Sequence, residues 1–127
     1  MIDVKSIEDI VGLSYYNMEH PPKLLTASEY SDWVEGMIVT SGQTRMIENT
    51  LGLVGEAGEF AEKIKKILRD NTFDRDLILK ELGDVVFYAA ALANYFGSDL
   101  QEVMDINVTK LNDRKARNVL QGSGDAR

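Results

Sequence analysis

The chain has 127 residues, a net charge of −7 at pH 7, one histidine and no cysteine. Disulfides, thiolate metal sites and thiol nucleophiles are therefore excluded, and so acidic a chain makes a poor partner for a nucleic-acid backbone. Its length and its 44% apolar and 28% charged residues are those of a single ordinary globular domain.

No apolar run reaches the length of a membrane span, and the N-terminus has no signal-peptide pattern. A cytoplasmic protein with no membrane partner is expected. In residues 1–24, Ile2, Val4, Ile7, Ile10, Val11, Leu13 and Met18 recur at partly helical spacing. They predict a short helix from near Ser6, ended by Pro21-Pro22. The single histidine, His20, stands beside those prolines, and neither acid pair described below has a His at the spacing a Glu-x-x-His iron-binding pair needs.

Thr26-Ala27-Ser28-Glu29 is a capping box and opens a helix to about Thr40. Tyr30, Trp33, Val34, Met37 and Ile38 form its apolar stripe, and Ser41-Gly42 breaks it. The next helix runs from about Thr44 to Arg69, with Leu53, Ala57, Phe60, Ile64 and Ile67 on one face. Gly52, Gly55 and Gly58 are costly in its interior, at roughly 1 kcal/mol each against Ala. Either two helices approach closely there, or a bulky group such as a hydrated metal with phosphates needs the room. After an Asp70-Asn71-Thr72 turn, a helix from about Asp74 to Phe96 turns Leu77, Ile78, Leu82, Val85, Val86, Ala89, Leu92 and Ala93 inward, and Gly97 stops it. Ser98-Asp99-Leu100-Gln101 is a second capping box, opening a helix to about Asn118. Val103, Ile106 and Leu111 are its apolar residues, and Asn107, Lys110 and Arg114 form a polar stripe. Residues 119–127, rich in Gly and Ser, are expected to be a mobile tail. No stretch alternates long enough for a strand. The expected fold is all-α: one domain over 1–127, a four-helix core with an N-terminal helical extension.

Two of these helices carry acids three residues apart, Glu56/Glu59 and Glu81/Asp84. Residues at i and i+3 share a helix face, so two such helices face to face can gather four carboxylates. Carboxylates so gathered repel unless a cation sits among them, and hard oxygens suit Mg²⁺ or Mn²⁺. The competing reading is that both pairs are solvated helix faces. Against it, each pair borders the apolar stripe of its helix, and glycine accompanies both. Lys63 and Tyr88 extend the pairs to i+7.

Leu51-Gly52-Leu53-Val54-Gly55-Glu56-Ala57-Gly58-Glu59, Lys65-Lys66, Lys80-Glu81-Leu82-Gly83-Asp84-Val85 and Asn107-x-x-Lys110-Leu111-x-x-Arg114 together resemble the MazG-type nucleotide pyrophosphohydrolases. Those proteins belong to the all-α NTP pyrophosphatase superfamily, with the dimeric dUTPases as relatives. The resemblance spans about Thr26 to Asp125, and Gly122-Ser123-Gly124-Asp125 looks like tails of small MazG-like proteins. One departure is Gly55, where many members carry a further glutamate; Glu62, one turn beyond Glu59, is the candidate for a supporting role instead.

The resemblance implies that Glu56, Glu59, Glu81 and Asp84 hold Mg²⁺, with Mn²⁺ as a substitute. It implies hydrolysis of a nucleoside triphosphate to monophosphate and pyrophosphate, in house-cleaning or nucleotide-pool control. Glu59 is the candidate general base. Lys63, Lys66, Lys110 and Arg114 are candidates to hold phosphates, Asn107 to read sugar or phosphate, and Tyr88 to bound the nucleoside. Trp33 reads as core or subunit interface rather than a base platform. A homodimer or homotetramer is implied as well. The alternatives are a narrower dUTP, dCTP or phosphoribosyl-ATP pyrophosphatase, or a non-enzymatic helical interaction module whose acid stripes keep it soluble.

Overall fold

The computed structural model describes residues 25–125. The predicted helix near Ser6 and the rest of the N-terminal extension lie outside the described residues. Within them the chain forms four α-helices: α1 (Ala27–Met37), α2 (Gly42–Asp70), α3 (Arg75–Tyr95) and α4 (Leu100–Ala116). The described fold is all-α, as the periodicity predicted.

Local chemistry accounts for the helix ends. Thr26 Oγ1 accepts from the Glu29 N–H at 3.1 Å, and the Glu29 carboxylate accepts from the Thr26 N–H at 3.2 Å, closing the predicted capping box. α1 stops at Met37, before the predicted Thr40. Ile38, Val39 and Thr40 are three β-branched residues in a row, which lose side-chain freedom in a helix, and Ile38 is already extended. α2 ends on Asn71, whose left-handed φ of 54° turns the chain. Asp74 caps α3 by accepting from the Leu77 N–H at 3.1 Å. Gly97, at φ +77°, ends the C-cap of α3, as predicted. The second cap shifts by one residue: Asp99, not Ser98, accepts from the Glu102 N–H, and Ser98 Oγ bonds the Glu102 side chain instead. A carboxylate is the better acceptor for an orphan N–H.

α2 and α3 form an antiparallel hairpin, and α1 and α4 pack on α3 and on each other. Val34, Ala90 and Ala91 are the centre of the core, ringed by Tyr30, Ile38, Phe87 and Leu100. The two alanines let α1 lie close on α3. Polar bonds tie the elements together. Arg45 of α2 grips Glu35 of α1 through two bonds of 2.7 and 2.6 Å, and Leu100 N–H donates to Ser31 Oγ at 2.9 Å.

Several predicted inward residues are in fact exposed: Leu77, Leu82 and Val86 on α3, Ile64 on α2, and Val103, Ile106 and Leu111 on α4. Ile47, Leu51 and Val54 on α2 are open as well. Two helix layers cannot cover every apolar stripe that periodicity writes into four helices. The tail turns back at Gly122 and Gly124, and Asp125 accepts from Arg114 at 2.8 Å and Lys110 at 3.1 Å.

Candidate metal centre on the α2–α3 hairpin

The α2–α3 hairpin sets a ladder of three cross-pairs. The ring of Tyr88 lies over Gly52, where a Cβ would overlap it. One turn along both helices, Glu56 meets Asp84 and Glu81, with one carboxylate oxygen from each within 4.8 Å of the others. Farther on, Lys63 Nζ stands 3.7 Å from Glu81 Oε1. Rising numbers on α2 meet falling numbers on α3, as an antiparallel pair requires.

The acid group is therefore Glu56, Glu81 and Asp84. Glu56 and Glu81 are half-buried and Asp84 is exposed. Glu59 is exposed and lies outside the group. Its charge still reaches Glu56. The Glu56 carboxyl is held above its ordinary value, first by burial, then by the charges of Asp84, Glu81 and Glu59. Unbalanced negative charge is thus concentrated at this point. Oxygens around one Mg²⁺ stand roughly 3–4 Å apart, so a small closure of the group would suit a hard divalent cation. The all-oxygen donor set and the unbalanced charge fit such an ion.

Tyr30 was not foreseen near this site. Burial first, and then the charge of Asp84, raises its hydroxyl. From it a run of edge-on and tilted rings leads through Trp33 and Phe87 to Tyr88, with centroids 5.6, 6.1 and 5.3 Å apart. No sequence signal marked Tyr30, because it looks like any other residue of an apolar stripe. Trp33, expected in the core or an interface, is half exposed.

Lys63 and Lys66 line a cleft of about 260 Å³ at the α2–α3 turn, with Asp70, Thr72, Asp74 and Leu77 also in its lining. Lys63 thus belongs both to the acid group and to the cleft. Tyr88 is half-buried against Gly52. Gly52 is explained by that ring, whereas Gly55, Gly58 and Gly83 face open space. On α4, Asn107 is exposed, while Lys110 and the buried Arg114 are engaged by Asp125. Arg114 is no solvated side chain. No helix among the described residues is long and apolar enough to cross a membrane.

Residues 45–119 match the model of the MazG nucleotide pyrophosphohydrolase domain. The chain is also 53% identical over 83 residues to the Gene 37 protein of Mycobacterium phage L5, a match covering 61% of this chain and 73% of that one. No solved structure matches the chain significantly. The matched segment holds the whole α2–α3 hairpin from Arg45 onward, with Glu56, Glu81 and Asp84 in it. The chain belongs to the MazG nucleotide pyrophosphohydrolase domain family.

Proposed function

We propose that this protein hydrolyses (d)NTPs to (d)NMPs and pyrophosphate with Mg²⁺, or Mn²⁺ in its place. The observation that carries this reading is the convergence of Glu56, Glu81 and Asp84 from two helices, in a chain of this family. When bound there, a divalent ion supplies charge neutralisation for the triphosphate and a more acidic water for attack at the α-phosphorus. Glu56, Glu81 and Asp84 would hold it, with the charge of Glu59 on the next turn of α2 close enough to act on Glu56.

Because Glu59 stands outside the tight group, it is the carboxylate with lone pairs to spare. It takes the proton of the attacking water. Lys63 and Lys66 present their ammonium groups to the phosphates from the α2–α3 cleft. Tyr88, fixed against Gly52, bounds the nucleoside. Asn107, Lys110 and Arg114 on α4 are the remaining candidates for phosphate and sugar contacts, the two cations sharing Asp125 in the free protein.

The protein works as a homodimer or homotetramer. Support comes from the apolar residues that one copy leaves open, Ile47, Leu51 and Val54 on α2 and Ile106 on α4 among them. A second copy packed over these residues would take them out of water.

The deciding experiment is pyrophosphate release with Mg²⁺ across all common and several modified (d)NTPs. Broad release supports a house-cleaning enzyme. Release from a single pyrimidine nucleotide supports the narrower reading. Orthophosphate with a diphosphate would sink the proposed site of attack.

A further inference from the structure

Lys63 sits between two features of the hairpin. Its Nζ is 3.7 Å from Glu81 Oε1, with side-chain exposures of 25% and 15% for the pair. Both groups are thus largely withdrawn from water, unlike a solvated surface pair. Glu81 is at the same time a member of the acid group. On its other side Lys63 lines the cleft with Lys66 and Thr72.

One oxygen from each of three carboxylates gathers within 4.8 Å, and the Lys63 ammonium offsets one of the three charges. Among the described residues, Lys63 is the cation paired with a member of that group. A divalent ion held by Glu56, Glu81 and Asp84 would place a second cation against the same Glu81. Two cations at one partly buried carboxylate repel strongly. The lysine stem has four flexible carbons, so its head can leave while its backbone stays.

We propose that Lys63 is a placeholder cation. It balances the acid group before metal binds, and metal entry drives its ammonium from Glu81 into the cleft. This rests on the metal reading above and adds a competition to it. Lys63 is then free for phosphate only after the metal is in place, which orders metal before substrate. Linkage makes the effect reciprocal: the affinity that Lys63 takes from the metal equals the affinity that the metal takes from the Lys63–Glu81 pair.

The test is Mn²⁺ binding by calorimetry to wild type, Lys63→Met and Lys63→Arg, without nucleotide. Lys63→Met is expected to bind Mn²⁺ roughly three- to tenfold more tightly than wild type, the size of one nearby charge. Lys63→Arg should stay near wild type. In parallel, wild-type protein is acetylated with and without Mn²⁺, and modification of each lysine is read by mass spectrometry. Lys63 should become severalfold more reactive with Mn²⁺, while Lys65 and Lys115 should not change. Equal Mn²⁺ affinity in wild type and Lys63→Met overturns the proposal and leaves the metal reading standing. No Mn²⁺ binding by either overturns both. If Lys63→Met does not fold, the acetylation decides: unchanged Lys63 reactivity overturns the placeholder role.

Discussion

The ring of Tyr88 rests on Gly52, one helical turn from the point where Asp84 meets Glu56 on the same two helices. A hydrogen in place of a methyl group at residue 52 therefore sets how closely α2 and α3 approach beside the acid group. Gly52→Ala should push the ring aside and cost about 1–3 kcal/mol by overpacking. Gly58→Ala, whose Cβ would meet nothing, should stabilise the folded chain by up to about 1 kcal/mol through helix propensity. Urea unfolding of the two variants gives the comparison. If Gly52→Ala proved neutral, Tyr88 would not be seated there.

Metal should bind the folded chain only, and so raise its melting temperature. At a hundredfold excess over Kd the gain is about 2.7 kcal/mol. The variant with Glu56, Glu59, Glu81 and Asp84 all changed to Ala should melt at the same temperature with and without Mg²⁺ or Mn²⁺. An equal shift in both proteins would place the ion elsewhere.

The raised carboxyl of Glu56 gives a pH signature in metal-free protein. Its folded state binds a proton more readily than the unfolded chain, so the protonated form favours folding. The destabilisation due to Glu56 is absent below its ordinary value of 4.5, grows as pH rises above it, and is complete above the raised folded-state value. Glu56→Gln should therefore gain on wild type as pH rises from 4 to 7, and the gain should vanish when wild type is saturated with Mn²⁺. Stability differences measured by denaturant at each pH decide this; a difference flat with pH would remove the charge argument.

Glu59→Gln and Asp84→Asn should each lower kcat by about 10²-fold or more if charge in the transition state depends on both. The double variant should lose much less than the product of the two, because groups acting as a unit are not additive. Their metal responses should separate them. Asp84→Asn should weaken Mn²⁺ binding severalfold, whereas Glu59→Gln, outside the tight group, should leave it nearly unchanged. Should Asp84→Asn keep activity within a fewfold of wild type, α3 would not belong to the site.

Much of the fold is local and could be read from the chain. Thr26 with Glu29, Asp74, and Gly97 mark helix ends because each satisfies backbone groups only a few residues away. The apolar periodicity of α2 and α3 and the two acid pairs are equally local. What only tertiary structure decided is which of those acids meet. Glu56 and Glu59 point roughly 60° apart around α2, so α3 can be close to one and not the other. The antiparallel register, fixed where Tyr88 seats on Gly52, brings in Glu56 and leaves Glu59 to solvent. The same register gives Glu81 to Lys63, a pairing between residues 18 positions apart that no helical spacing foretells. Exposure of Leu82 and Val86 was equally hidden. A stripe shows that a residue is apolar; only the number and placement of neighbouring helices determine whether anything covers it.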